Sequence, residues 1–483
     1  MCKSMRILLV LLLGWAAFNA EAQKPNILFI LADDMSYPCL GVYGNPNVST
    51  PNIDRIAKQG MTFTQAYCSS PSCTPSRASI LTGKYPHTLG EGVNLTGRLM
   101  SNIPTYVKLL RAEGYDVAFD RKGWGPGDFT KGGYAENPAG RQQVFDKFLK
   151  EVPDEKPFFF WFGSNDPHRM FPFARGRMSG IDPDKIKVPA FLPDVAEVRS
   201  DIADYFFEIN RFDRDIGDLL KQLEASGRLA NTIIVVASDN GMPFPHAKAN
   251  LYDYGTRIPL IIADFGSRIP KNTRHDSFVN LIDLTPTFLD LAGVRNQPVM
   301  HGKSLMPVLS GTSKEHRQEV FLERERHCLA REAMNKQAGY PMRAIRTRDY
   351  LYIQNLRPNR MPGGDAAIAG TPSVYGDVDG GPTKAFIVDN RLDPMVKPFF
   401  ELGFGLRPAE ELYVIKDDPY NIHNKIGDPA LAQVRLQLRS RLEQWMKETN
   451  DPRSGGGGDV LDEYPSTTRA WITMWGIVFV DEK

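Results

Sequence analysis

The chain has 483 residues, 42% of them apolar and 24% charged, a balance that excludes disordered, collagen-like and polytopic membrane classes. Its 58 basic and 57 acidic residues cancel almost completely, so no face for non-specific nucleic-acid binding is expected. A length of this order predicts two or three domains with their own apolar cores.

Residues 1–22 read as a secretory signal peptide. Lys3 and Arg6 precede an apolar run from Ile7 to Phe18, and Ala20-Glu21-Ala22 supplies small residues at a cleavage point. That run is short for a membrane span, and no later segment approaches ~18 uncharged apolar residues. The mature chain is therefore expected in the periplasm or outside the cell, without membrane contact after cleavage. Removal of Lys3, Arg6 and Glu21 leaves 56 charges of each sign.

Four segments share one design, a nearly all-apolar run that stops abruptly at polar residues. They are Asn26 to Ala32 before Asp33-Asp34, Tyr115 to Phe119 before Asp120-Arg121-Lys122, Phe158 to Phe162 before Asn165-Asp166-Pro167-His168, and Thr232 to Ala237 before Ser238-Asp239-Asn240-Gly241. Runs without polar alternation predict strands buried on both faces. Helical spacing between them, at Asn52 to Gln59, Thr105 to Glu113 and Asp201 to Ala225, completes an α/β pattern with a large, mostly parallel central sheet flanked by helices. Past about Tyr340 the texture changes to short alternating strands, at Arg343 to Asn355 and Glu411 to Ile415. Met361 to Pro382 reads as loop, and Leu431 to Thr449 as an amphipathic helix. The expected division is a catalytic domain over 23–335 and, over 336–483, a smaller C-terminal subdomain of antiparallel sheet plus one helix. Ala470 to Val480 is strand-like.

Open parallel sheets gather ligands at the carboxyl ends of their strands, where Asp33, Asp34, Lys122, His168, Asp239 and Asn240 all fall. Ser72-Cys73-Thr74-Pro75-Ser76-Arg77-Ala78-Ser79-Ile80-Leu81-Thr82-Gly83 adds a helix start. Thr74 is the expected cap, Pro75 opens the first turn and Gly83 closes the helix. Cys73 then lies where free N–H groups favour an anion, with Arg77 one turn on. By itself, this position suits either an activated thiol or a small buried residue.

The pattern Cys-x-Pro-x-Arg followed by Ala-Ser-x-Leu-Thr-Gly resembles the signature of type I sulfatases, of the alkaline phosphatase superfamily. The resemblance runs from Pro25 to about Pro452. It implies that Cys73 is oxidised to formylglycine by a formylglycine-generating enzyme. It also implies that Asp33, Asp34, Asp239, Asn240 and residue 73 hold one Ca²⁺, a hard cation suited to oxygen ligands. With Cys73 so committed, at most one disulfide is possible among Cys39, Cys68 and Cys328.

Asp166-Pro167-His168-Arg169, Ser238 to Pro245, Leu284 to Thr287, Tyr340 to Arg343 and Trp445 to Pro452 resemble the heparan N-sulfatase branch. The substrate implied is a sulfated glycan, first the N-sulfate of glucosamine in heparin or heparan sulfate. An O-sulfate on another glycan, or a phosphodiester or phosphonate, is the alternative. The resemblance gives Lys122 and Lys248 to the sulfate, Arg77 to the nucleophile and His168 to the leaving group. It departs at Trp124, which stands where the branch has a histidine; this ring either stacks on a sugar or packs. His87 reads as structural. A catalytically idle glycan-binding protein would instead keep Cys73 unmodified.

Overall fold

The computed structural model describes residues 23–331, 338–366, 374–456, 458–466, 469–473 and 476–480. The signal-peptide expectation at 1–22 lies outside them.

Eight strands, β1 (Asn26–Ala32), β2 (Gly60–Tyr67), β3 (Asp116–Arg121), β4 (Arg141–Gln142), β5 (Phe158–Gly163), β6 (Thr232–Ser238), β7 (Leu260–Asp264) and β8 (Thr273–Asn280), form one sheet. Their order is β4-β3-β5-β1-β6-β7-β2-β8. Only β7 runs against its neighbours. All seven residues of β1 are buried because the pleat sends them alternately into two cores. Leu28 and Ile30 join Phe160, Val236 and the long helix Ala196–Ala225 on one face. Ile27, Phe29 and Leu31 join Trp161, Ile80, Tyr106 and Phe288 on the other. At about 1.5–3 kcal/mol per large side chain removed from water, this central strand is strongly held. Its end is thus a rigid platform.

A second sheet runs β12-β11-β10-β9, all antiparallel, from β9 (Glu319–Arg324), β10 (Met342–Thr347), β11 (Tyr350–Asn355) and β12 (Glu410–Val414). The helix Ala432–Glu448 packs Leu438, Leu442, Trp445 and Met446 onto Phe321, Ile345, Tyr352 and Leu412. The sequence pattern predicts no strand at β9. Its apolar core is only Val320, Phe321 and Leu322 between glutamates, too brief for a periodic signal, and Glu323 and Arg324 are buried. A hairpin of β13 (Arg469–Thr473) and β14 (Gly476–Val480) follows.

Cys39, Cys68, Cys73 and Cys328 are all buried and unpaired. Among the described residues no helix is long and apolar enough to cross a membrane.

Candidate active site

Strands β3, β5, β1 and β6 lie side by side, and the segments leaving their carboxyl ends build one centre. A strand continued past Ala32 would point Asp33 and Asp34 to opposite faces. Asp34 instead takes φ 69°, the left-handed region, which breaks the alternation. The ligand atoms of Asp33, Asp34 and Cys73 consequently lie within 4.8 Å of one another.

Cys73 opens the helix Cys73–Thr82, two positions earlier than a Thr74 cap allows. Ser72 is the capping residue, yet its Oγ does not cap; it lies 2.8 Å from His327 Nδ1. Ser76 N–H donates to the Ser72 carbonyl at 3.0 Å, so Pro75 sits within the first turn, where its missing N–H costs nothing. Gly83 closes the helix at φ 67°. Cys73 Sγ is 3.5 Å from Asp33 Oδ1 and 3.9 Å from Asn240 Nδ2. Burial pushes the Cys73 thiol far up, with Asp33 and Asp239 adding to it against Lys122 and Lys248. As encoded, this side chain is a neutral thiol rather than a thiolate, despite its helix end.

Arg77, fully buried, ties the centre together. Its Nε donates to Asp239 Oδ2 at 2.8 Å and its Nη2 to Asp33 Oδ1 at 3.4 Å. Its Nη1 donates to the carbonyls of Lys122 at 3.0 Å and Gly123 at 2.9 Å. Lys122 Nζ contacts Asp33 Oδ2, and Lys248 Nζ contacts Asp34 Oδ1, with Asn240 Oδ1 at 3.4 Å. His168 Nε2 faces Asp34 Oδ2 at 3.8 Å, and its Nδ1 is 2.5 Å from the Arg169 carbonyl. Burial raises the Asp33 carboxyl, but Lys122, His168, Arg77 and Lys248 overcome it and hold the group well below the carboxylate range. Asp34 is displaced upward, since burial outweighs Lys248 and His168.

The donor set fits a hard divalent cation. Asp33, Asp34, Asp239 and Asn240 offer only oxygen donors of the kind Ca²⁺ takes, and Asp34 Oδ2 is buried with no hydrogen-bond partner. Lys122 and Lys248 both act on Cys73 and Asp33, and their charge suits an anion beside that cation.

Two groups carry no clear signal in the sequence. Asp379 is buried, its Oδ2 has no hydrogen-bond partner, and it lies 3.7 Å from Lys248 Nζ. It also shares a 4.8 Å cluster with Asp34 and His168. His327, beside Ser72, is neutral: burial and Lys248 push its pKa down to about 3. The one available hint is Asp377-Val378-Asp379 before Gly380-Gly381. Trp124 is buried in the core on the Cys73-helix side of the sheet, so it packs and does not present a face to a sugar. His87 lies in a separate buried network with Glu323, Arg343 and Asp451.

Comparison with known proteins gives two family matches. The sulfatase model matches residues 25–294, and the model of the N-sulphoglucosamine sulphohydrolase C-terminal region matches 245–359. Human N-sulphoglucosamine sulphohydrolase is 29% identical over 92% of this chain and 94% of its own length. An ulvan-active sulfatase of Formosa agariphila is 27% identical over 90% of this chain and 82% of its own. Among solved structures, a protein in complex with its substrate D-glucosamine-2-N,6-O-disulfate superposes with TM-score 0.65 at 22% identity, covering 92% of this chain and 100% of that one. This last likeness is one of fold.

Proposed function

The chain belongs to the sulfatase family, and on that premise we propose that it hydrolyses the N-sulfate of glucosamine at the end of a heparin or heparan sulfate chain. The observation behind this substrate is the match of residues 245–359 to the C-terminal region of N-sulphoglucosamine sulphohydrolase, joined to a relative of that name spanning nearly the whole chain.

Residue 73 would carry a formylglycine, made by a formylglycine-generating enzyme, which supplies as its hydrate a nucleophile able to expel its own sulfate. Asp33, Asp34, Asp239 and Asn240 would hold a Ca²⁺ that supplies Lewis-acid polarisation. The remaining work belongs to the chain's own side chains. Arg77 grips Asp33 and Asp239 together, orienting two oxygen ligands in advance. Lys122 at Asp33 and Lys248 at Asp34 set two ammonium groups beside the carboxylate pair, a fixed positive field for a sulfate. His168 keeps a proton on Nδ1, toward the Arg169 carbonyl, so a proton on Nε2 can pass to the departing nitrogen and leave a neutral ring. An amine needs that proton, because an amide anion is a very poor leaving group.

The test is desulfation of N-sulfoglucosamine beside a panel of O-sulfated sugars, using enzyme whose residue-73 peptide has been shown by mass to be converted. Release of sulfate from N-sulfoglucosamine is expected; activity confined to O-sulfates overturns the substrate. A sulfate ester on another glycan is the second reading, favoured by the nearly equal identity to the ulvan-active sulfatase.

A further inference from the structure

Asp379 is the one acidic group of the centre to which the mechanism above gives no task. It is buried, and its Oδ2 has no hydrogen-bond partner among the described residues. One of its oxygens, a ring nitrogen of His168 and an oxygen of Asp34 lie within 4.8 Å of one another. A counterion for Lys248 would account for the charge. Lys248 Nζ, however, already contacts Asp34 and Asn240, and it stands 3.7 Å from Asp379 Oδ2, too far for a hydrogen bond. The other donors nearby are spent. Arg169 donates to both oxygens of Asp201 at 2.8 and 2.7 Å and to the Pro243 carbonyl at 2.9 Å, and His168 Nδ1 lies against the Arg169 carbonyl. A buried carboxylate oxygen without a donor is destabilising, and a donor carried by the ligand is what remains to satisfy it.

The carboxylate is also held where it is. Just before it, Asp377 is gripped by Arg324 and Arg331, each at 2.6 Å. A few residues on, Thr383 donates to Asp201 through its N–H at 3.2 Å and its Oγ1 at 2.6 Å. Arg169, which follows His168, binds the same Asp201, so one buried carboxylate fixes the segments of Asp379 and His168 against each other. A Cβ at Gly381 would lie 2.3 Å from Arg169 Nη1, so the two segments close together only over glycine.

We infer that Asp379 accepts a hydrogen bond from the N–H of a sulfamate and thereby selects nitrogen over oxygen as the atom that leaves sulfur. The leaving atom lies where His168 can give it a proton and Lys248 can hold the sulfate, and Asp379 stands beside both. A sulfamate nitrogen brings an N–H to that place as well as a lone pair; an ester oxygen brings lone pairs only. As the S–N bond breaks, its electron pair stays on nitrogen, which takes the proton from His168 Nε2, while sulfur bonds to the oxygen of residue 73. Positive charge builds on nitrogen as the proton arrives, and a fixed carboxylate stabilises it. Facing an ester oxygen, the same carboxylate meets lone pairs and stays unpaired, which disfavours that substrate.

This role rests on the N-sulfate reading, and the experiment separates the two. kcat/KM is measured for N-sulfoglucosamine, for glucose 2-O-sulfate, which differs from it only at the leaving atom, and for 4-nitrophenyl sulfate. The proteins are wild type and Asp379→Asn, both with residue 73 converted. Ratios are taken within one protein, so a general loss of folded enzyme cancels. Wild type should prefer N-sulfoglucosamine to the 2-O-sulfate by at least about a hundredfold. Asp379→Asn should lose at least about tenfold more on N-sulfoglucosamine than on whichever O-linked substrate is turned over, the scale of one charge-assisted hydrogen bond. A smaller wild-type preference, a smaller difference between the losses, or no loss overturns the assignment and leaves the N-sulfate reading standing. If wild type releases no sulfate from N-sulfoglucosamine, that reading fails, and calorimetric Kd values of glucosamine and glucose decide Asp379. Tighter binding of the amine by wild type that Asp379→Asn removes supports an acceptor for nitrogen, and equal affinities overturn it.

Discussion

Arg77→Lys isolates what a planar five-donor fork does that a charge alone cannot. Lysine keeps the positive charge, so the Coulomb attraction to Asp33 and Asp239 survives in sign. It cannot also reach the carbonyls of Lys122 and Gly123, now served by Nη1 at 3.0 and 2.9 Å. Two buried acceptors lose their donor, each costing about 1–3 kcal/mol, and at least one charge-assisted bond is lost as well. Partial relaxation brings the expected loss to about 3 kcal/mol. The Lys122 carbonyl belongs to the segment that aims Nζ at Asp33, so activity should fall by at least about a hundredfold, the scale of one preorganised donor. Urea unfolding gives the first quantity and initial rates on a saturating substrate the second. A variant within about 0.5 kcal/mol of wild type that keeps most of its kcat/KM would refute the clamp.

Cys73→Ala should abolish sulfate release and leave the unfolding midpoint near wild type, because the thiol makes only weak contacts at 3.5 and 3.9 Å; an active variant would remove residue 73 from the chemistry. His168→Ala should lower kcat on an amine or alkyl leaving group by about 10²–10⁴, and far less on a nitrophenyl sulfate, in rates compared at one pH. Burial pushes the pKa of His246 down to about 4 and that of His327 to about 3, so the unfolded chain binds their protons first as pH falls. Stability from these neutral rings is complete above pH ~6.5 and is lost progressively below it, on the order of 3 kcal/mol per ring, until each folded pKa is reached. Denaturant midpoints between about pH 7 and pH 4 measure this, and His246→Gln should flatten the slope. Chelation should remove activity, and calorimetry should find Ca²⁺ binding tightened by inorganic sulfate about 5–150-fold; equal affinity with and without sulfate would count against a shared site.

The sheet is legible because strands covered on both faces lose polar alternation, and four such runs end in chemistry-bearing residues at one edge. That edge is where Asp33, Asp34, Lys122, Asp239 and Asn240 lie. The helix start at Cys73 differs by two residues from the local expectation, and Ser72 spends its hydroxyl on His327, from a segment 255 positions away, which local rules do not foresee. Asp379 is hidden for a related reason. Met361 to Pro382 has the composition of a solvent loop, yet Arg324 and Arg331 both close on Asp377 at 2.6 Å and draw part of it inside. Composition reports what a segment can do alone, and this one is shaped by two buried arginines from elsewhere.

Those distant contributions bear on why the centre tolerates so much buried charge. Asp33, Asp34, Asp239 and Asp379 face Arg77, Lys122 and Lys248, four carboxylates against three cations, with all but Lys122 almost wholly enclosed. Uncompensated, such groups would cost several kcal/mol each. With every group ionised the pocket is one charge negative, so a divalent cation alone would leave it one charge positive, a sulfate dianion alone three negative, and the two together one negative. On the reading proposed above, an anion that engaged Lys122 and Lys248 would leave Asp33 and Asp34 to a cation, so each of the two would favour binding of the other.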